Sequence, residues 1–502
     1  MIWVIIVFIC IISSGCRPKV EAILDQAELA GQVQIEPDYK AVTIPSNIAP
    51  LNFAITSHAD RYLVKIYGQD GSPILLYTRC PQIRVPIRQW QALLNQNKAG
   101  QIWIEVATCG RDRRWRRYEP FAIYVANEPI DRCLVYRLLR PQYNYFKDIG
   151  IYQRDIQSFH QSCILHGSQF RDGCLNCHTF LNNRPEPMAI AIRSGQFGSS
   201  CIYADDGQLE KLGTRLGHTS WHPSGRLLAF SAFDVRMFFH TARPDVQDVV
   251  EMDSLIGYYD LEGRKAGRIP GLADPNRLET QPCWSADGRY LYFACAPKLW
   301  QANKQFPPER YAELRYDIQR ISYNDGYWGQ VETVVSSDRL GKSCLMPRPS
   351  PDGRFLLFTA CDYGCFPIYQ ASADLYLMDL NTGQIKALEC NSQFSDSWHT
   401  WSSNGRWLVF ASKRPTGRFT RLYITHIDTD GRASKAFVLP QADPYFYDRF
   451  LYAYNLPELI VGPVRYSNRT LVRTIRSKRA IQVDSITSAT PVQTQYQQFG
   501  QR

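Results

Sequence analysis

One short pattern, repeated four times, constrains this 502-residue chain more than any other feature. Trp221-His222-Pro223-Ser224-Gly225-Arg226-Leu227-Leu228-Ala229-Phe230 recurs as Trp284-Ser285-Ala286-Asp287-Gly288-Arg289-Tyr290-Leu291-Tyr292-Phe293. It returns as Pro349-Ser350-Pro351-Asp352-Gly353-Arg354-Phe355-Leu356-Leu357-Phe358 and as Trp401-Ser402-Ser403-Asn404-Gly405-Arg406-Trp407-Leu408-Val409-Phe410. The glycines lie 63, 65 and 52 residues apart. Asp-Gly or Asn-Gly supplies the positive-φ positions of a tight hairpin turn, and the bulky run after arginine reads as a strand buried against its neighbours. A second strand signature follows each copy, at 258–261, 317–318, 374–380 and 422–424. Each unit exposes apolar faces that only a neighbouring unit covers, so the repeats must stack.

These hairpins resemble the TolB-like propeller repeat, whose blades are four-stranded sheets. The resemblance implies a propeller over 187–468, with room for about six blades at ~40–45 residues each. Degenerate copies are expected around 201–212 and 436–464, with five or seven blades as alternatives.

Cys174-Leu175-Asn176-Cys177-His178 carries the chemistry. C-x-x-C-H is the attachment pattern of haem c: two thiols bond to the porphyrin vinyl groups and the adjacent imidazole ligates iron. Structural zinc wants four N/S ligands, and no second C-x-x-C exists to supply them. One covalent haem is therefore expected, on Cys174 and Cys177, with His178 as proximal ligand. The distal ligand decides between electron transfer and catalysis. Met188, ten residues past His178 beyond a proline-bounded loop, is the leading candidate; its alternative role is to begin a strand over 188–193 and pack in a core. His160, His166, His218 and His222 are other candidates, and His399 reads as a brace beside Trp398 and Trp401. The sequence holds no Ser-His-Asp, Walker-type or zinc-protease motif.

Export is the second signal. Residues 2–12 are almost wholly apolar, the length of a signal core and too short to span a bilayer. Ser13-Ser14-Gly15-Cys16 follows and resembles a lipobox, which implies a signal peptide over 1–16 and lipidation at Cys16; plain cleavage is the alternative. Either outcome places the chain in the cell envelope, facing the periplasm or on the outer membrane, where haem c is attached. Eleven further cysteines could pair in such a compartment. The net charge of +10 is partly local, with Arg111, Arg113, Arg114, Arg116 and Arg117 in one segment. That cluster reads as a solvated loop or as a docking patch for an anionic surface or redox partner, not for nucleic acid.

The remaining chain divides by composition. Short strands at 53–55, 62–67, 74–77, 102–108 and 121–125, with one helical turn at 90–94, predict a β-sandwich over 40–127 resembling an immunoglobulin or fibronectin III module. Residues 128–186 read as a separate haem segment, in which 182–187 ends any helix begun at Cys174, and 469–502 as a polar disordered tail. The fold expected is thus mainly β.

The order of parts resembles a bacterial envelope lipoprotein family that joins a single haem c motif to a TolB-like propeller. The stretches that carry this are Ile44-Pro45-Ser46-Asn47-Ile48-Ala49-Pro50-Leu51-Asn52-Phe53, Cys174 to Phe180, and Trp398-His399-Thr400-Trp401-Ser402-Ser403-Asn404-Gly405-Arg406. A more distant architectural similarity is to the large subunit of hydrazine synthase, which also joins haem c to a propeller; this chain is shorter and has no second C-x-x-C-H. The reading is a membrane-tethered monohaem cytochrome-like protein that passes electrons to a partner protein. A haem enzyme with open iron, or a binding propeller with structural haem, are the alternatives.

Overall fold

The computed structural model describes residues 20–140, 148–214, 216–240, 247–301 and 306–483. Cys16, the signal peptide and residues 484–502 lie outside them. Two β-rich units share one continuous hydrophobic core.

The first unit has a seven-stranded and a three-stranded sheet, built on strands that include Phe53–Ile55, Arg61–Gly68, Ile74–Thr78, Gln101–Cys109 and Phe121–Val125. Ile35, Phe53 and Ile83 of the smaller sheet meet Val64, Ile66, Ile104 and Val106 of the larger one. Helix Ile87–Gln96 is longer than the single turn expected, because Trp90, Leu93 and Leu94 give it a buried stripe. Trp90 Nε1 donates to the Ile48 carbonyl at 3.1 Å, fixing the helix to the loop that follows strand Thr43–Ile44.

The second unit is a β-propeller. Its innermost strands are β1 (Cys174–Phe180), β2 (Gly217–Trp221), β3 (Arg277–Trp284), β4 (Ser343–Pro349), β5 (Asp396–Trp401) and β6 (Ala453–Ile460). Each heads a four-stranded antiparallel sheet, six in all among the described residues. Each inner strand touches the next around the axis, and β6 touches β1, so the ring is closed. The C-terminal strand closes it: β6 pairs with Cys133–Leu139, whose sheet continues through Gly150–Asp155 to Gln161–His166. Residues 128–186 are therefore not a separate segment. Their first strands complete the β6 sheet, and Cys174–Phe180 is the inner strand of the next sheet rather than a helix. Neighbouring sheets cover these strands on both faces, so β5 and its partner Trp407–Ser412 are buried at every position.

The repeated motif is the turn between first and second strands. Ser285 Oγ donates to Asp287 Oδ1 at 2.6 Å and accepts from the Tyr290 amide at 3.0 Å. Ser350 with Asp352 and Ser402 with Asn404 make the same contacts. Only the glycine takes positive φ, at 77°, 74°, 72° and 67° in the four copies; the Asp or Asn before it does not, and acts instead as the acceptor that holds the turn. In the first copy His222 replaces the serine, with Nδ1 2.7 Å from Ser224 Oγ and Nε2 3.2 Å from the Gly288 carbonyl.

The tail forms helix Asn468–Arg476, and Ile481 bridges to Leu212, so order extends past 469. Leu471 and Ile475 are buried against the β6 and β1 sheets. No disulfide joins any of the thirteen cysteines among the described residues. No helix among those residues is long and apolar enough to cross a membrane.

Ring closure yields a first expectation. Leu459, fully buried in β6 opposite Leu134, should cost about 2–5 kcal/mol when replaced by alanine, read as a lower urea midpoint. Leu451→Ala, at a position 60% exposed just before the strand, should change stability by less than about 0.5 kcal/mol.

Candidate functional site

Each inner strand carries one β-bulge, and each bulge holds a non-glycine residue at positive φ. These are Cys177 (37°), His218 (42°), Gln281 (56°), Met346 (56°), Trp398 (49°) and Leu456 (49°). All six sit where the pairing register slips by one residue. A bulge re-aims a side chain, and repeating it around a ring presents six crest residues near the axis. The crests are linked: the His218 amide donates to Cys177 Sγ at 3.2 Å, and the Met346 amide to Gln281 Oε1 at 2.7 Å.

Cys177, His218, Trp398 and Leu456 line one cleft at the mouth of the ring, together with Cys174 and Asn176. The cleft holds a cavity of about 200 Å³ that opens to solvent. Its walls are largely apolar and aromatic. His218 stacks on Trp398 with centroids 6.1 Å apart, and Phe233 lies 5.0 Å from His218. Phe366 meets Trp398 edge-on at 5.7 Å and stacks on Tyr369. The cationic residues on the lining are Arg137, Arg193, Arg236, Lys413 and Arg418, and no described Asp or Glu joins them. Arg236 is paired with Asp234 at 2.8 Å, and Lys413 Nζ stands 5.4 Å over the Tyr369 ring.

The bulge at Cys177 changes what the haem motif means geometrically. Cys174 and Cys177 are an odd number of residues apart, and a regular strand would turn them to opposite faces. The extra residue inserted at Cys177 brings both onto the lining of the same cleft. His178 then falls on the other side of the strand, 4% exposed and outside the lining. Burial pushes its pKa down to about 3, aided by the nearby Arg137 charge, so the imidazole is neutral. Neither ring nitrogen has a hydrogen-bond partner; the backbones of Val135 and Leu456 lie near the ring without reaching bonding geometry. A neutral imidazole with unused nitrogens is the state in which histidine takes a metal. Two thiols on an apolar cleft suit a porphyrin edge, and on those two counts the residues fit a covalent haem. On the third count the imidazole lies behind the cleft wall. No three His, Cys, Asp or Glu side chains among the described residues converge as a cage for a metal ion.

The other histidines and Met188 are placed elsewhere. Met188 begins strand Met188–Ser194, pairs with Phe180 and is buried with Phe180 and Ile190, on the same face of the sheet as His178 rather than across from it. His166 caps the turn at Gly167–Phe170, and His160 is exposed. His222 packs edge-on against Trp284 and completes its own hairpin. His399 is a brace between sheets, with Nε2 2.9 Å from the Met346 carbonyl and Nδ1 3.2 Å from Thr359 Oγ1. In the arginine-rich segment Arg116 pairs with Asp112 and Arg117 with Glu105.

Sequence reasoning passed over Arg137, the Phe366–Tyr369 wall, and the long hairpin Leu227–Phe239 with Gln247–Asp260 that supplies Phe233, Val235 and Met237. The hairpin had left a trace. Gly225 and Gly288 are 63 residues apart, against 52 for Gly353 and Gly405, and alternating apolar residues fill the excess.

No family model and no curated protein matches this sequence. Among solved structures it is similar to hydrazine synthase of Kuenenia stuttgartiensis, at 16% identity and a TM-score of 0.32, over 52% of this chain and 67% of that one. It is similar to an oligogalacturonate lyase of Vibrio parahaemolyticus at 12% identity and a TM-score of 0.34, over 66% and 88%. It is also similar to a chain of a nidogen/laminin complex at 9% identity and a TM-score of 0.37, over 65% and 99%. At these scores none of the three bears on function.

The buried brace gives a pH expectation. Burial holds the His399 pKa at about 3, well below its ordinary 6.5. The unfolded chain therefore takes up this proton first, and the stability His399 contributes is whole above pH 6.5 and lost progressively toward pH 3. The loss is at most about 1.4 kcal/mol per pH unit. His399→Gln should be less stable than the parent at pH 7, and the gap in urea midpoint should narrow at pH 5.

Proposed function

We propose that this chain is a monohaem c-type cytochrome-like protein of the bacterial cell envelope, tethered by lipid at Cys16. In this reading a six-bladed TolB-like propeller, preceded by an immunoglobulin- or fibronectin III-like module, holds haem c at its mouth. The observation that carries the reading is the placement of Cys174 and Cys177 on one apolar cleft, brought about by the bulge at Cys177. When bound, the haem supplies one-electron chemistry, and the partner is a redox protein. The chain's own residues do the rest. Phe233, Phe366 and Trp398 wall the group from water, which raises the cost of charge on the iron and so tunes its potential. The six packed sheets hold the thiols rigidly, keeping reorganisation small.

His178, the ligand the motif names, lies behind the cleft wall and would have to turn toward the cleft to hold iron. His218 takes the place first offered to Met188, because His218 lines the cleft and Met188 is committed to the core beside Phe180. The cleft's opening to solvent favours a second reading, an enzyme whose iron meets a small molecule there. Ligation separates the two. Were both His178 and His218 to hold the iron, the spectrum would be low-spin and indifferent to carbon monoxide, whereas a free position would bind it rapidly.

The first experiment is denaturation of protein made in a host competent for haem c attachment. Pigment should stay with the wild-type chain, and replacing both Cys174 and Cys177 by alanine should abolish it; a colourless wild type would overturn the reading. A second concerns Met188→Ala, which should lower stability by about 2–5 kcal/mol and leave the visible spectrum unchanged. His218→Ala should convert the iron to a form that binds carbon monoxide.

A further inference from the structure

Arg137 is the buried charge of the cleft. It lies on Cys133–Leu139, the strand that pairs with β6, and only 9% of it is exposed. Its Nη1 donates to Asn176 Oδ1 at 2.5 Å and, at a long 3.4 Å, to the Leu175 carbonyl. Its Nε is buried with no partner, and no carboxylate among the described residues lies within ion-pair distance. The other buried arginines, Arg154 and Arg421, likewise have no carboxylate within ion-pair distance among the described residues, but both of their terminal nitrogens donate to oxygen acceptors, whereas Arg137 uses only Nη1.

The position of Arg137 carries a guanidinium charge into the interior, where it needs an acceptor. Four further cations share the lining, of which Arg236 is offset by Asp234 at 2.8 Å. Two bonds, both from Nη1 to the strand bearing Cys174 and Cys177, orient the guanidinium while Nε is left unused. Nη2 makes no bond among the described residues and, unlike Nε, is not fully buried, so it is the nitrogen left to meet a carboxylate in the cleft.

We infer that Arg137 makes this cleft a carboxylate-binding site, whose occupant is an apolar ring system bearing acidic groups. The inference rests on the haem reading and adds to it: the propionates of a porphyrin supply that carboxylate, or a separate small carboxylate supplies it. Phe233, Phe366, Tyr369 and Trp398 take the flat apolar part, and Arg137 takes the acid.

The test uses the mature chain made in a cytoplasm that attaches no haem. Metal-free mesoporphyrin, with two free carboxylates, and its dimethyl ester are titrated in dilute detergent and followed by tryptophan quenching and the Soret shift. The diacid should bind at least tenfold more tightly than the diester. Arg137→Gln should erase most of that preference and leave diester affinity unchanged, which also shows that the variant is folded. Arg137→Lys, which keeps the charge without the planar fork, should fall between the two and serves if the Gln variant does not fold. Equal affinity of the wild type for both porphyrins, or the wild-type preference surviving in the Gln and Lys variants, overturns the inference while the haem reading stands. Failure of both porphyrins to bind overturns the haem reading instead. Benzoate then decides: a rise in wild-type melting temperature that Arg137→Gln abolishes keeps the carboxylate site as one for a free small acid, and no rise overturns it as well.

Discussion

The pairing of β6 with Cys133–Leu139 is the contact on which the rest of this molecule depends. The two strands are more than 300 residues apart in the chain, and everything between them is held in a circle by their ladder. Without it the β5 and β1 sheets would each present an apolar face to water, and the mouth of the ring would have no fixed shape. Closing so long a loop costs conformational entropy that only the completed set of sheet interfaces offsets, so closure is expected late in folding. The same ladder shapes the cleft. Cys133–Leu139 bears Arg137, β6 bears Leu456, and both stand on the cleft beside Cys174 and Cys177.

The bulges are the second organising device. Positive φ at six non-glycine residues is backbone strain repeated with the symmetry of the ring, and it lets one residue per inner strand turn toward the axis. The crest positions are chemically unlike each other: a thiol, an imidazole, an amide, a thioether, an indole and an isobutyl group. A scaffold that repeats its backbone and varies its crests builds an asymmetric site from nearly equivalent parts. Cys177 belongs to that series, so the C-x-x-C-H stretch is part of a propeller strand and not an inserted domain. The polar chemistry nearby follows from the same burial. His178 and His399 are neutral because a charged imidazole has nothing to solvate it there, and Arg348 with Glu458 survives burial because each is the other's counterion.

Much of the fold was legible because turns and alternation are local. The four hairpins, the sandwich strands at Phe53–Ile55 and Phe121–Val125, and the stacking of repeats follow from short windows of sequence. The helix at Ile87–Gln96 was visible only as one turn, since its apolar stripe needs the partner sheet to give it meaning. The segment 128–186 was misread for a related reason. Its strands are recognisable only beside β6, which arrives at the far end of the chain, and nothing local announces that pairing. Met188 looked free to fold back over a cofactor while 182–187 was read as a loop; the strand that follows commits it to the core.

The sequence by itself determined the residue types of the site and the architecture that would hold them. Cys174, Cys177 and His178 stand at haem-attachment spacing, and a repeated Gly-Arg hairpin admits little other than stacked four-stranded sheets. Tertiary structure alone decided which way those side chains point. A one-residue bulge, set by packing between neighbouring inner strands, turns both thiols to the cleft and the imidazole away from it. Ring closure alone brought Arg137, His218 and Trp398 from distant parts of the chain onto the same surface. Direction and long-range neighbourhood are properties of the closed ring, because side-chain facing inverts with a single residue of register and no local pattern records where register slips.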